Sequence, residues 1–173
     1  MSSLKVDNWQ DLNGNKMQNV LQVQYTQRVR HTSYTGTSWS GVIWTTITPR
    51  SATSKILVLW KISVSNGNGA HAQGRIMRNS TQIAYGTDGV GVACTNASYG
   101  YAAANTAGWE PQSWCGHWVD SPGTTSQLLY EYQVATVYSS TDTLGIGYNG
   151  PSDDDYNYNY RTPQHLTLLE IAQ

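Results

Sequence analysis

From Leu21 onward the chain alternates apolar and polar residues. In Leu21-Gln-Val-Gln-Tyr25-Thr the residues Leu21, Val23 and Tyr25 share one face and Gln22, Gln24 and Thr26 the other, which predicts a half-buried strand. A second strand is predicted over Val42-Ile-Trp-Thr-Thr-Ile-Thr48, ended by Pro49. A third runs from Lys55 to Val64, and its first half is apolar on both faces, as in a strand central to a sheet. Trp44 and Trp60 fall within these apolar strands and read as core. Asn66-Gly-Asn-Gly69 marks a turn, and the segments flanking Asn79-Ser80 read as a hairpin. Residues 86–109 lack a period and predict a long loop holding at most a short strand. Further strands are predicted over 113–120, 127–138, 143–148 and 165–171. No segment carries a helical stripe, so the expected fold is all-β: an antiparallel, jelly-roll-like sandwich over residues 20–173.

Residues 1–19 are different. Leu4, Val6, Trp9 and Leu12 stand as isolated apolar anchors among polar residues, with no sustained period. Such a segment has too little apolar surface to order itself. It is expected to dock, as an extended N-terminal anchor, on a sister chain or a larger assembly.

Composition narrows the function. Charged residues make up only 12% of the 173 residues, where about 25% is usual, while Thr, Ser, Asn and Gln fill about a third of the chain. Ten basic against eleven acidic residues leave a net charge of -1, so there is no positive field to draw in nucleic acid. The longest apolar run, Ile56 to Trp60, is far short of the roughly 20 residues of a membrane span, and the opening Met1-Ser-Ser-Leu-Lys5 shows no signal-peptide pattern. A soluble protein made in a cytosol is expected, and with it two reduced thiols at Cys94 and Cys115.

Candidate chemistry is sparse. Gly145-Ile-Gly-Tyr-Asn-Gly150 matches the dinucleotide fingerprint, but Pro151, Ser152 and three aspartates follow where that motif needs a helix N-terminus. Asp153, Asp155 and Asn157 supply oxygen ligands at EF-hand-like spacing, yet Tyr158 and Gln164 stand where the motif needs glycine and glutamate. That leaves a weak calcium candidate or a solvated acidic turn. No nucleophile elbow is present, the four histidines are scattered, and nothing in the spacing of Glu110, Asp120 and Glu131 recommends a carboxylate pair. The chain reads as non-enzymatic and without a cofactor.

Aromatic residues point to surfaces. In an extended conformation Tyr156, Tyr158 and Tyr160 line one face, which reads equally as a stacking surface for sugar rings or a partner protein and as subunit packing or ordinary sheet surface. Trp109, Trp114, His117 and Trp118 form a second aromatic cluster, and seven Trp with no Phe places some indoles at interfaces, because each N–H wants a partner.

Four stretches carry a resemblance. Val20-Leu-Gln-Val-Gln-Tyr-Thr26, Ile47-Thr-Pro-Arg-Ser-Ala-Thr-Ser-Lys-Ile-Leu-Val-Leu-Trp60, Asp120-Ser-Pro-Gly-Thr-Thr-Ser126 and Tyr160-Arg-Thr-Pro-Gln-His-Leu-Thr-Leu-Leu-Glu-Ile171 resemble, in order, the recurring blocks of head domains of marine bacteriophage and cyanophage tail-fibre-like proteins. The lead-in Leu4-Lys-Val-Asp7 with Leu12-Asn-Gly14 is similar as well. The resemblance implies a virion structural protein, synthesised in the host cytoplasm and carried on the particle exterior. It implies a homotrimeric jelly-roll-like knob, serving as a short tail fibre, a receptor-binding tip or a capsid decoration protein, with a host-surface glycan as a candidate partner. A stand-alone carbohydrate-binding module is the competing expectation, motivated by the tyrosine row and the tryptophans.

Overall fold

A computed structural model describes residues 20–66, 71–86, 94–99, 112–137, 140–147 and 161–173. Among them every regular element is a strand: β1 Val20–Arg28, β2 Thr32–Thr35, β3 Ser40–Ile47, β4 Lys55–Asn66, β5 His71–Arg78, β6 Thr81–Ile83, β7 Asn96–Tyr99, β8 Gln112–Asp120, β9 Leu128–Thr136, β10 Thr143–Ile146 and β11 Gln164–Ile171. They pair antiparallel in two sheets. The first has the order β1-β11-β4-β10-β2, with β8 on the other side of β4; the second has the order β3-β9-β5-β6, with β7 also on β5.

Alternation along each strand sends one set of side chains between the sheets. Ile56, Val58, Trp60, Ile62 and Val64 of β4 meet Tyr130, Tyr132 and Val134 of β9 in one core, with Leu166 and Leu168 from β11. Trp60 is core, as the pattern predicts, and its indole Nε1 donates to Asn96 Oδ1 at 3.0 Å, an acceptor shared with the Tyr132 hydroxyl at 2.7 Å. The indole lies so close to Gly116 that a Cβ there would overlap its ring.

Two polar knots hold the layers. Arg78 Nη1 reaches both carboxylate oxygens of Asp120, at 2.7 and 2.8 Å, and the Tyr130 hydroxyl donates to Asp120 Oδ2 at 2.6 Å. Asp120 lies on β8 and its two partners on β5 and β9, so this group clamps one sheet to the other. Burial and the neighbouring carboxylate push the Tyr130 phenol well up, which keeps it a donor. Elsewhere, the buried Glu170 accepts from Gln22 Nε2 at 2.6 Å and from the backbone N–H of Arg50 at 2.7 Å, pinning the turn after β3 to β1 and β11.

Most predicted strands are present. The structure adds β2, whose four residues carry too little period to stand out; β7 is a short strand of the kind the sequence allows within the long loop. The hairpin turns at Asn79, whose positive φ of 52° is one that Asn tolerates. Trp44 is a correction: it is not core but 57% exposed. A bulge between Gly41 and Ile43 places Val42 and Ile43 both inside, and so turns Trp44 outward.

Candidate functional site

Each sheet has an outer face. On the first, cross-strand pairing builds one row from Val23, Leu169, Leu57 and Val119 and a second from Tyr25, Thr167, Leu59 and His117. Both rows cross four strands, a width of roughly 14 Å at about 4.8 Å per strand spacing. Val23 and Tyr25 are 54% and 51% exposed, and Leu59 and Val119 are exposed too. Lys55 and Lys61 border the rows, and no carboxylate stands in them. Tyr25 stacks on His165 at 5.8 Å between centroids, and its hydroxyl lies 2.8 Å from His165 Nδ1. The apolar face of β1 thus points to solvent, while Gln22, Gln24, Thr26 and Arg28 point inward, opposite to the burial that its alternation predicts.

The outer face of the second sheet is built differently. Trp44 pairs across to Glu131, and Gly41 to Gln133, whose next neighbour is Arg75. Gln133 Nε2 donates to Glu131 Oε2, Arg75 Nε donates to Gln133 Oε1 at 2.8 Å, and the guanidinium carbon stands 4.2 Å from the centroid of the Trp39 ring. Partial burial lowers the Arg75 pKa, and the Glu131 carboxylate partly offsets this. Where the edge strands β1 and β3 run side by side, a groove of about 370 Å³ opens, lined by Thr26, Gln27, Arg28, Val42, Ile43 and Trp44. Arg28 is tied into its floor, donating to the Val42 carbonyl, to Thr32 and to Tyr34.

The sequence-derived candidates separate. Trp114 is buried in the core, facing Ile62 across β4 and β8, and is not a surface residue. His117 and Trp118 are exposed, but as successive residues of β8 they point to opposite faces, so the expected cluster does not form there. Trp109, the tyrosines Tyr156, Tyr158 and Tyr160, the calcium candidates Asp153, Asp155 and Asn157, and the anchors Leu4, Val6, Trp9 and Leu12 lie outside the described residues. Asp120 is consumed by the inter-sheet clamp. Cys94 and Cys115 are both free, and burial raises the Cys94 pKa. Among the described residues no group of three His, Cys, Asp or Glu could hold a metal, and no helix is long and apolar enough to cross a membrane. Sequence reasoning missed Trp39, Trp44, Glu131, Gln133 and Arg75 as a group. The signal available to it was Gly41 within an otherwise apolar strand, which marks a bulge or a close approach.

No protein-family model and no curated protein sequence matches the chain. Among solved structures it is similar to a chain of infectious bursal disease virus, Gx strain, at 12% identity and a TM-score of 0.40, covering 100% of this chain and 41% of that one. It is also similar to a chain of the Gt strain at 9% identity and a TM-score of 0.40, covering 99% and 44%. The chain spans less than half the length of either.

Proposed function

We propose that this protein is a non-catalytic structural component of a bacteriophage virion. In this reading it is a homotrimeric β knob carried on the particle exterior, as a short tail fibre, a receptor-binding tip or a capsid decoration protein. One observation carries the reading: two carboxylate-free rows, one wholly apolar and one mixing Tyr25 and Leu59 with Thr167 and His117, cross four strands on the outer face of the first sheet, on the side away from the shared core. Contiguous exposed apolar surface with a polar margin marks a protein contact, and here the contact is a further copy of the chain. The four-stretch resemblance to phage head domains agrees with it. Residues 1–19, with Leu4, Val6, Trp9 and Leu12, then dock the knob on the tail or capsid.

Light scattering of the full chain tests the reading. A mass near three times 19.1 kDa is expected, falling to that of one chain in Leu59→Asp, with circular dichroism unchanged. A monomer for the unaltered protein overturns it. A second reading, a free carbohydrate-binding module, is favoured by the exposed Trp44 beside the groove, and it requires a monomer that binds sugar without residues 1–19.

A further inference from the structure

The outward side of β3 has an unusual profile. Trp39 precedes the strand, Gly41 and Trp44 follow it on the same side, and the bulge residues between them are buried. Gly41 contributes no side chain, and a Cβ there would overlap the Glu131 carboxylate. The space between the two indoles is therefore floored by the side chains of β9 and β5: Glu131, Gln133 and Arg75. At about 3.3 Å per residue, with the bulge absorbing one step, the backbone positions that carry the two indoles are roughly 13 Å apart.

The floor is pre-aligned. Trp39 supports the Arg75 guanidinium, Arg75 orients the Gln133 amide, and Gln133 orients the Glu131 carboxylate, so the polar groups form one held line before anything binds. An apolar partner would strip water from the capacity these groups keep beyond their mutual bonds, the second Glu131 oxygen and the Arg75 Nη groups among it, and offer nothing in return. A highly charged partner gains little, because the Arg75 cation and the Glu131 anion lie on the same floor. What fits is a ligand with an apolar C–H face for an indole and a rim of neutral hydroxyls, each both donor and acceptor.

We infer that this face binds a neutral oligosaccharide, with Trp44 stacking beneath a sugar ring and Glu131, Gln133 and Arg75 hydrogen-bonding its hydroxyls. Trp39, with Arg75 lying on it, closes the far end. Beyond Trp44 the groove at the β1–β3 seam continues the surface over Thr26 and Gln27. The inference deepens the host-surface contact within the proposed function, and it assigns that contact to residues separate from the apolar rows.

The test is a tryptophan-fluorescence titration of the full chain with linear hexaoses of glucose, mannose, galactose and N-acetylglucosamine, run beside light scattering. Saturable binding of at least one hexaose is expected. Trp44→Ala should weaken it about tenfold or more and Glu131→Gln severalfold, both with unchanged circular dichroism and unchanged mass. Saturation by none of the four overturns the inference, as does equal binding by Trp44→Ala. A fall in mass in Trp44→Ala also overturns it, since the face would then be a contact between copies. The mass of the unaltered protein decides the virion reading independently of any sugar result.

Discussion

The outer faces of the two sheets rest on one core and are made of strands of similar length, yet their chemistry is opposite. The centre of the first sheet is β4, which turns Leu57 and Leu59 outward; the centre of the second is β9, which turns Leu129, Glu131 and Gln133 outward. The first face offers mainly apolar area, with Tyr25, Thr167 and His117 as its polar groups and no carboxylate in its rows. The second offers an exposed indole above aligned polar groups. Burial inside the sandwich is thus indifferent to what stands outside, and the outward residues of one central strand set what chemistry each face presents to solvent.

The largest expected effect removes both faces together. Asp120→Ala would leave Arg78 charged and Tyr130 unpaired in a largely buried site, a loss of about 3–5 kcal/mol. Urea unfolding should show it, with self-association and sugar binding failing at the same denaturant concentration. If one property outlasts the other, the sheets are not clamped as a unit. Next, Gly116→Ala would press a methyl group against the Trp60 ring from within the first sheet, at a cost of about 1–3 kcal/mol. Below its unfolding midpoint this variant should retain sugar binding, since the second face is a layer away. Gly41→Ala sharpens the contrast from the other side. The carboxylate end of Glu131 can swing aside, so stability should change by less than about 1 kcal/mol while sugar binding weakens severalfold and mass stays constant.

The smallest effect is a pH dependence set by Glu170, where the turn after β3 is held to the first sheet. Burial pushes the Glu170 pKa up, but the hydrogen bonds donated to its carboxylate outweigh this and hold it below the usual glutamate range. A folded-state pKa below the unfolded value stabilises the protein above about pH 4.3, and this stabilisation is lost as pH falls through the depressed value. Glu170→Gln should flatten that part of the stability profile in thermal scans between pH 3 and 6.

Much of the fold was legible because strands betray themselves by period. The central place of β4, the 71–83 hairpin and the strands β8, β9 and β11 all follow from alternation and turn residues. What failed was parity. One inserted residue at Gly41–Ile43 reverses every later inside–outside assignment on β3, and so moved Trp44 from the expected core to the surface. On β1 a further irregularity lies between Val20 and Gln22, and the expectation that apolar residues face inward fails because Gln22 is needed inside for Glu170. Trp114 misled in the reverse direction, as a member of an aromatic cluster that alternation in fact divides between faces. The second-face group was illegible for a different reason. Its members come from three strands and the approach to one of them, and no local pattern relates position 44 to position 131.

The place of β11 has a consequence for biosynthesis. This strand, Gln164–Ile171, is inserted between β1 and β4, so residue 20 meets residue 171 and the middle of the first sheet is filled by a strand translated long after both of its neighbours. At about 5–20 residues per second, β1 and β4 wait several seconds for their shared neighbour, and the long sequence separation makes their closure a late event. The apolar rows need Leu169 and Thr167 to become continuous. A nascent chain therefore presents no continuous outer face on its first sheet until translation has passed residue 171, so the surface proposed for contact between copies stays unfinished until then.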